Sequence, residues 1–596
     1  MGVSGSVNPS SVAILPGPTV AGAASQYLDY LDTVTTSGYY TKGDGGGALY
    51  RKVAVQPTHA GKFQSAGGTW WELSETIVAV EMFGAKGDGA TDDLAAFQAA
   101  ISYATATSNP VGLSNRTYRL SAGITVPGGV SIYSASFFPS NPTYGAKLLF
   151  DLGVMQCLTL GGSGASGNGL SATAKGFTVT RAAGSRPANS IGIRIERLYN
   201  VILEDVKSSG HAQNYYFKAD DTRGLAAWMT RCFSADATDA HIVQDTWPEL
   251  RLSQCRIGQN GSETDCQAYI RVKGGSTVNA AAGPNTLTVT NSQFNLGDSK
   301  KANQIVEFVN LTNGYISDVG IFSFNSCHFE GFLAGVKTDT TVPLLSRLSF
   351  GDCTFNSAVE FLALNASTTV NSLALSNCYL AGSFTLSQTS PVNAIRLNGT
   401  RFTGAFSLTS GHSSSSLEAE GCAWIGNITL AGEWAALKIS GTLSPTATVA
   451  NGATGKWSVE LPNAARKTWT PSISFGGLTN GITYAKQFGV IEVVGNEVTA
   501  QFEIELASKG SATGNAFITG LPIAVDGGAN GNSSNGGGGS INYATGMSGL
   551  TGAISPRLPS GSIIDLYQWS ATGVTRVTDV NFTATTRIAG TIRYFR

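Results

Sequence analysis

The chain has 596 residues, with 38 basic and 39 acidic side chains and a formal net charge of -1. Charged residues make up 13%, about half the share usual in soluble proteins, which excludes a disordered polyelectrolyte and a Glu/Lys-rich coiled coil. Balanced charge argues against a nucleic-acid partner, and no run of about 18 apolar residues exists to insert in a membrane.

Three textures follow one another along the chain. Residues 1–77 are irregular and glycine-rich, with GDGGGALYR at 43–51 and GGTWWELSE at 67–75, and read as a small module. The opening MGVSGSVNPSSVAILPGP lacks the basic-then-apolar order of a secretory signal. One helix is predicted over 91–104. Thr91 is its expected N-cap, Asp92 and Asp93 face the positive end of the helix dipole, and Leu94, Phe97 and Ile101 share a face. That placement makes the two acids structural. The preceding GAKGDG lacks the Lys-Ser/Thr ending of a phosphate loop.

Residues 78–445 carry a repeat. A small polar pair, a Cys or other small residue, any residue and then a large apolar one recur as SQCRI, TNSQF, NSCHF, GDCTF, SNCYL, NGTRF and EGCAW. The small slot falls at Cys255, Ser292, Cys327, Cys353, Cys378, Thr400 and Cys422, with gaps of 37, 35, 26, 25, 22 and 22. Fainter earlier copies put it near Phe177, Val206 and Arg231. A period of 22–26 is one turn of a parallel β-helix, and the two long gaps imply loops inserted in two turns. The cysteines then form a stack of buried free thiols, compact apolar groups rather than disulfides or metal ligands.

A second strand accompanies each phrase, and alternation sends half its side chains outward. Stacking aligns Arg194, Lys218, Val243, Arg271, Glu307 and Lys337 in one outward column. Glu196, Asp220, Asp245, Lys273, Val309 and Asp339 form the next. Further on the same face turns neutral, with Ala363, Thr385, Ser407 and Thr429. Mixed charges on one strip, near Tyr199, Tyr215, Trp228, Trp247 and Tyr269, suit an oligosaccharide, whose hydroxyls meet polar groups and whose C–H faces meet aromatic rings. A solvated sheet face with cross-turn ion pairs is the competing reading. Within the HIVQD segment, the alternation places Gln244 inward.

Glycoside hydrolysis needs two carboxyl groups flanking the bond. Asp220 and Asp245, on adjacent turns of one column, and Glu307 are the predicted catalytic trio. Arg194, Lys218, Arg271, Lys273, Trp247 and Tyr269 are the predicted substrate contacts. Asp221, Asp236, Asp239, Glu249, Glu263, Asp265 and Glu330 are rival acids. β-Elimination would instead use a base with a cation, for which Arg271 and Lys273 with Asp245 or His241 qualify, and His211 is a further base or a structural turn residue. No metal constellation stands out, since Asp220-Asp221 lacks calcium-loop spacing.

From 446 to 596 longer alternating strands appear, as in FGVIEVVGNEVTAQFEIEL at 488–506. DGGANGNSSNGGGGS at 526–540 reads as a flexible loop between them.

The stretch IVAVEMFGAKGDGATDDLAAFQAAI at 77–101 resembles the opening of pectate-lyase-like right-handed β-helices in bacteriophage tailspikes. GDGGGALYR and GGTWWEL resemble the module preceding that β-helix. WTPSISFGGLTNGITYAKQFG at 469–489 and GSATGNAFITGLPIAV at 510–525 resemble a C-terminal β-sandwich of tail fibres and tailspikes, used for trimerisation or carbohydrate binding. The resemblance implies an all-β homotrimer on the virion, attached to the phage tail or baseplate directly or through an adaptor. It also implies cleavage of a bacterial surface polysaccharide, lipopolysaccharide O-antigen or capsule, without calcium or an organic cofactor. The expected activity is endo-glycosidase, with a lyase or a non-catalytic glycan adhesin as alternatives. Asp220-Asp221, Gly210-His211-Ala212 and Arg271-Val272-Lys273 echo polygalacturonase-like motifs, but in a different order.

Overall fold

The computed structural model describes residues 13–14 and 19–595, apart from 136–144, 163–169, 220–224, 259–265, 275–283, 296–301, 310–319, 461–465, 524–536 and positions 341, 343, 357–358, 367, 389–390, 411, 445–446, 448, 495–496 and 560. The chain forms two compact units, residues 1–396 with 400–414, and residues 397–399 with 415–596.

The first unit opens on a five-stranded sheet in the order Ala13–Ile14, Thr33–Thr35, Leu49–Val53, Trp70–Leu73, Lys62–Gln64. The acid of GDGGG staples its loop: the Asp44 carboxylate accepts the backbone N–H groups of Tyr39, Tyr40, Thr41 and Gly46. These bonds outweigh burial and hold Asp44 below its ordinary titration range.

The predicted helix spans Leu94–Thr107, three residues later than expected, with Asp93 rather than Thr91 at its N-cap. The shift has a visible cause. Asp93 accepts the N–H groups of Lys86 (2.7 Å) and Gly87 (3.0 Å), so it ties down the GAKGDG loop. Asp92 accepts from Leu94 and Ser121. Both acids are structural.

Parallel strands then stack with each one paired to the strand three places on, so every turn contributes three strands. One such turn is Ala240–Asp245, Glu249–Ser253 and Arg256–Ile257, and the next is Cys266–Lys273, Thr286–Thr290 and Gln293–Phe294. The large residue closing each repeated phrase points inward. Phe294 pairs in register with Ile257 and Phe329, and Phe329 with Phe355. Their rings stack at 4.8 Å and 5.1 Å, each pair contributing about 0.5–1.5 kcal/mol beyond burial.

The slot residues form a ladder. All eight cysteines are buried and free. The thiols of Cys232, Cys255, Cys327, Cys353, Cys378 and Cys422 each donate to a carbonyl of the preceding turn at 3.3–3.6 Å. Cys232 thus joins the column, one residue past the position the sequence indicated. Ser292 and Thr400 take the slot with hydroxyls that accept from Cys255 N and Cys378 N. The residue before the slot is left-handed in turn after turn: Asp205, Arg231, Gln254, Asn291, Ser326, Asp352 and Asn377 have φ between 50° and 55°. That conformation makes the sharp corner between the second and third strands.

In the second unit, Ser416–Trp424, Ile428–Leu443 and Val449–Glu460 pair in parallel. Ten strands from Arg466–Trp469 onward form an antiparallel sheet closed around Ile473, Phe475, Phe502, Ile504, Ile564, Leu566, Ile588 and Ile592. The alternating 488–506 stretch supplies the long hairpin Ile482–Val494 and Glu497–Lys509. Of the predicted glycine-rich loop, residues 537–540 instead begin the strand Gly537–Met547.

Candidate active-site groove

The first strands of successive turns carry the charged strip. Arg194 pairs with Tyr216, Tyr216 with Val243, Val243 with Arg271, Arg271 with Glu307, and Glu307 with Lys337. The neighbouring column runs Glu196–Lys218, then Asp245–Lys273–Val309. One turn therefore sits two residues away from its expected register. Lys218, not Asp220, is opposite Glu196, and Tyr216 takes the place expected for Lys218. A two-residue slip preserves the alternation, but of that set only Lys218 is open, since Asn214 and Tyr216 are buried. Asp220, with Asp221, lies outside the described residues.

Asp245 is the centre of one cluster. The Tyr216 hydroxyl donates to its Oδ2, and the ammonium groups of Lys218 and Lys273 stand 3.3 Å and 3.5 Å from the same oxygen. Burial, then the Asp245 charge, pushes the Tyr216 phenol well above its ordinary range. Asp245 is 1% exposed, while the Lys218 and Lys273 side chains are 42% and 38% exposed. The carboxylate is sealed beneath the two lysines, so it orients them and Tyr216 rather than meeting solvent itself. The Arg194 guanidinium lies over the Tyr216 ring, 5.5 Å from its centroid, and reaches Glu196 at 2.6 Å.

Arg271 is the centre of the other cluster. Its Nε donates to Glu307 Oε2 at 2.8 Å, and its Nη1 to Asp239 at 2.7 Å. Gln213 donates to the same Asp239 carboxylate at 2.8 Å. Burial works against the Arg271 charge, but Asp239 and Glu307 outweigh it and hold the guanidinium above its usual range. The Asp239 side chain is 27% exposed and that of Glu307 13%.

Two predicted sugar platforms are core residues. Trp247 and Tyr269 are fully buried. Trp247 follows Thr246, whose φ of 58° turns the chain inward at the strand end, and its ring packs 6.0 Å from Phe217. The Tyr269 hydroxyl donates to the Glu330 carbonyl, and its ring packs on Phe294. Neither offers a face to a ligand. His211 and His241 are also fully buried, which removes both as surface bases. Gln244 points inward as the alternation required, its amide donating to Trp247 O (2.7 Å) and Thr286 O (3.1 Å). Of the other rival acids, Glu249 pairs with Arg251 and Glu330 accepts from Asn295, while Glu263 and Asp265 lie outside the described residues. Sequence reasoning missed Tyr216. The signal was an aromatic two residues before Lys218 on the same outward face. Asp239 stood only among the rivals, because it precedes its strand and lies outside the alternating pattern. Among the described residues no group of His, Cys, Asp and Glu is placed to hold a metal, and no helix is long and apolar enough to cross a membrane.

A pectate-lyase-like family described as rhamnogalacturonase A/epimerase matches residues 77–148. Comparison with curated proteins gives no match. Among solved structures, the tailspike protein gp49 of Acinetobacter baumannii bacteriophage Fri1, titled a capsular polysaccharide depolymerase, is 12% identical with a TM-score of 0.52. The likeness covers 96% of this chain and 97% of that one. The chain has the tailspike parallel β-helix fold. The Dettilon tailspike gp208 (13% identity, TM-score 0.40, 87% and 94% covered) and the gp42 tailspike of Acinetobacter phage vb_AbaP_AS12 (14%, 0.40, 85% and 92%) also match, with lower TM-scores.

Proposed function

We propose that the chain is a phage tailspike that binds and depolymerises a bacterial surface polysaccharide, capsule or O-antigen, by endo-glycoside hydrolysis along the charged strip. It would act as a homotrimer on the virion tail, held there directly or by an adaptor. The observation that carries the reaction is the pair of partly exposed carboxylates, Asp239 and Glu307, held by one guanidinium. Two hydrogen bonds to one planar fork keep them within roughly 8 Å of each other, inside the range that glycosidases use. One carboxyl protonates the leaving oxygen, and the other activates water or attacks the anomeric carbon. Asp245 serves as a positioning residue for Lys218 and Lys273, which with Arg194 contact the sugars. The fold shared with a protein titled a capsular polysaccharide depolymerase supports the substrate class.

A second reading, β-elimination, has one observation in its favour: the Lys218 and Lys273 ammonium groups converge on one carboxylate oxygen, a pair of cations suited to neutralising a uronate. Purified capsular polysaccharides incubated with the full chain separate the readings. Hydrolysis creates reducing ends without ultraviolet absorbance, and elimination creates an absorbing unsaturated sugar. Glu307→Gln and Asp239→Asn are expected to cut turnover by about 10²–10⁴-fold. Unchanged glycan length with every cognate polysaccharide would leave a non-catalytic adhesin.

A further inference from the structure

Among the described residues, one buried charge inside the β-helix has no counter-charge. Arg181 ends the strand Phe177–Arg181, where alternation points it inward in register with Phe150, and only 7% of it is exposed. Its Nη1 donates to the Leu152 carbonyl, and its Nη2 lies 3.7 Å from Cys157 Sγ and 3.4 Å from His211 Nδ1. Its Nε is buried and has no hydrogen-bond partner. The groups around it are neutral: a carbonyl, a thiol that burial pushes up to about 12, and an imidazole that burial pushes down to about 3.

The local sequence supplies no acid to balance it. No Asp or Glu occurs between Asp151 and Glu196, and those two already engage Arg119 at 2.8 Å and Arg194 at 2.6 Å. A second cation adds to the positive field. Arg186 acts electrostatically on both Arg181 and His211, while its own guanidinium donates to the Asp236 carbonyl. Burial draws Arg181 down, but a guanidinium keeps its proton throughout the physiological range. An ion taken out of water without a partner works strongly against folding, and a buried water molecule would satisfy Nε without removing the charge.

We propose that Arg181 Nε holds a small monovalent anion, a halide such as chloride, inside the solenoid. The donors set the class of ion. One guanidinium beside a thiol can match a single charge, whereas a phosphate or sulfate would demand several cations in contact. The ion would join three successive turns at the same corner. Leu152 follows the third strand of one turn, Arg181 ends the third strand of the next, and His211 follows that of the turn after. This site is independent of the depolymerase reading and requires no glycan.

The test follows the full chain by two routes. Wild-type crystals grown in sodium bromide are expected to show a bromine anomalous peak within hydrogen-bond reach of Arg181 Nε. In solution, urea unfolding is compared at constant ionic strength as sodium fluoride, whose anion holds its hydration shell too tightly to enter, is replaced by sodium bromide. An anion bound only by the folded chain raises the folding constant about tenfold for each tenfold rise in bromide above its dissociation constant. The wild type should show that rise, and Arg181→Met should lose it whatever its own starting stability. Should Arg181→Met fail to fold, the wild-type bromine peak decides. Three results overturn the proposal: no bromine peak at Nε in the wild type, equal bromide dependence in the wild type and Arg181→Met, or a native thiolate absorbance that Cys157→Ser abolishes, which would make the sulfur the counter-charge.

Discussion

The two lumen histidines predict a measurable acid sensitivity. Burial first, then the Arg181 charge beside it, lowers His211 to about 3; burial alone lowers His241 to about 3. His211 Nδ1 lies 3.4 Å from Arg181 Nη2, and His241 Nδ1 lies 2.9 Å from Ser234 Oγ. Both rings are therefore neutral in the folded chain wherever an unfolded histidine takes up a proton. Because the folded value is depressed, their contribution to stability is complete above about pH 6.5. It is lost progressively as pH falls and levels off near pH 3. Each ring forfeits about 1.4 kcal/mol per pH unit below 6.5, or about 2 kcal/mol at pH 5 and about 4 kcal/mol for the two together. Denaturant unfolding of wild type and His211→Asn/His241→Asn at pH 8 and pH 5 reads this directly. The variant loses stability at every pH, since it disturbs packing, but its pH 8-to-5 drop should be smaller by that amount. A variant with the full wild-type drop would refute the assignment.

Three further outcomes follow from the packing. Trp247→Ala should cost about 3–5 kcal/mol in unfolding free energy without changing glycan capture per folded molecule. A selective loss of capture at full stability would return Trp247 to the binding surface. A thiol reagent should titrate none of the eight cysteines in the native chain and all of them after unfolding, and a rapidly reacting native thiol would contradict the ladder. Asn377, with φ of 53°, should tolerate Gly, while Asn377→Val should cost about 1–2 kcal/mol. Equal stability of the Val and Gly variants would show that the corner relaxes.

The solenoid was legible because its signal is redundant. Each turn repeats a small slot residue and an inward aromatic at nearly constant spacing, and the thiol ladder and phenylalanine stack occupy those positions. Gln244 was legible for the same reason, since alternation demanded an inward amide and the carbonyls of Trp247 and Thr286 satisfy it. Register within one strand was not legible. An alternating sequence fits equally well after a shift of two, and the observed pairing sets Lys218 opposite Glu196. Exposure at strand ends was hidden as well. Asp245 lies in an outward column, yet long lysine side chains from the adjacent turns cover it. Trp247 escapes alternation entirely, because a left-handed Thr246 intervenes. The Arg271 bridge needs three turns at once, which no local pattern encodes.

The ladder of left-handed corners makes the groove countable. Cys353 and Cys378 occupy equivalent positions, each preceded by the same backbone conformation and each donating to the turn before. Excising residues 354–378 would join like to like, bringing Tyr379 after Cys353 where Thr354 now stands. Such a chain lengthens or shortens in whole increments, one coil at a time. The reach of its charged strip is therefore an integer property of the gene rather than a continuous property of its shape.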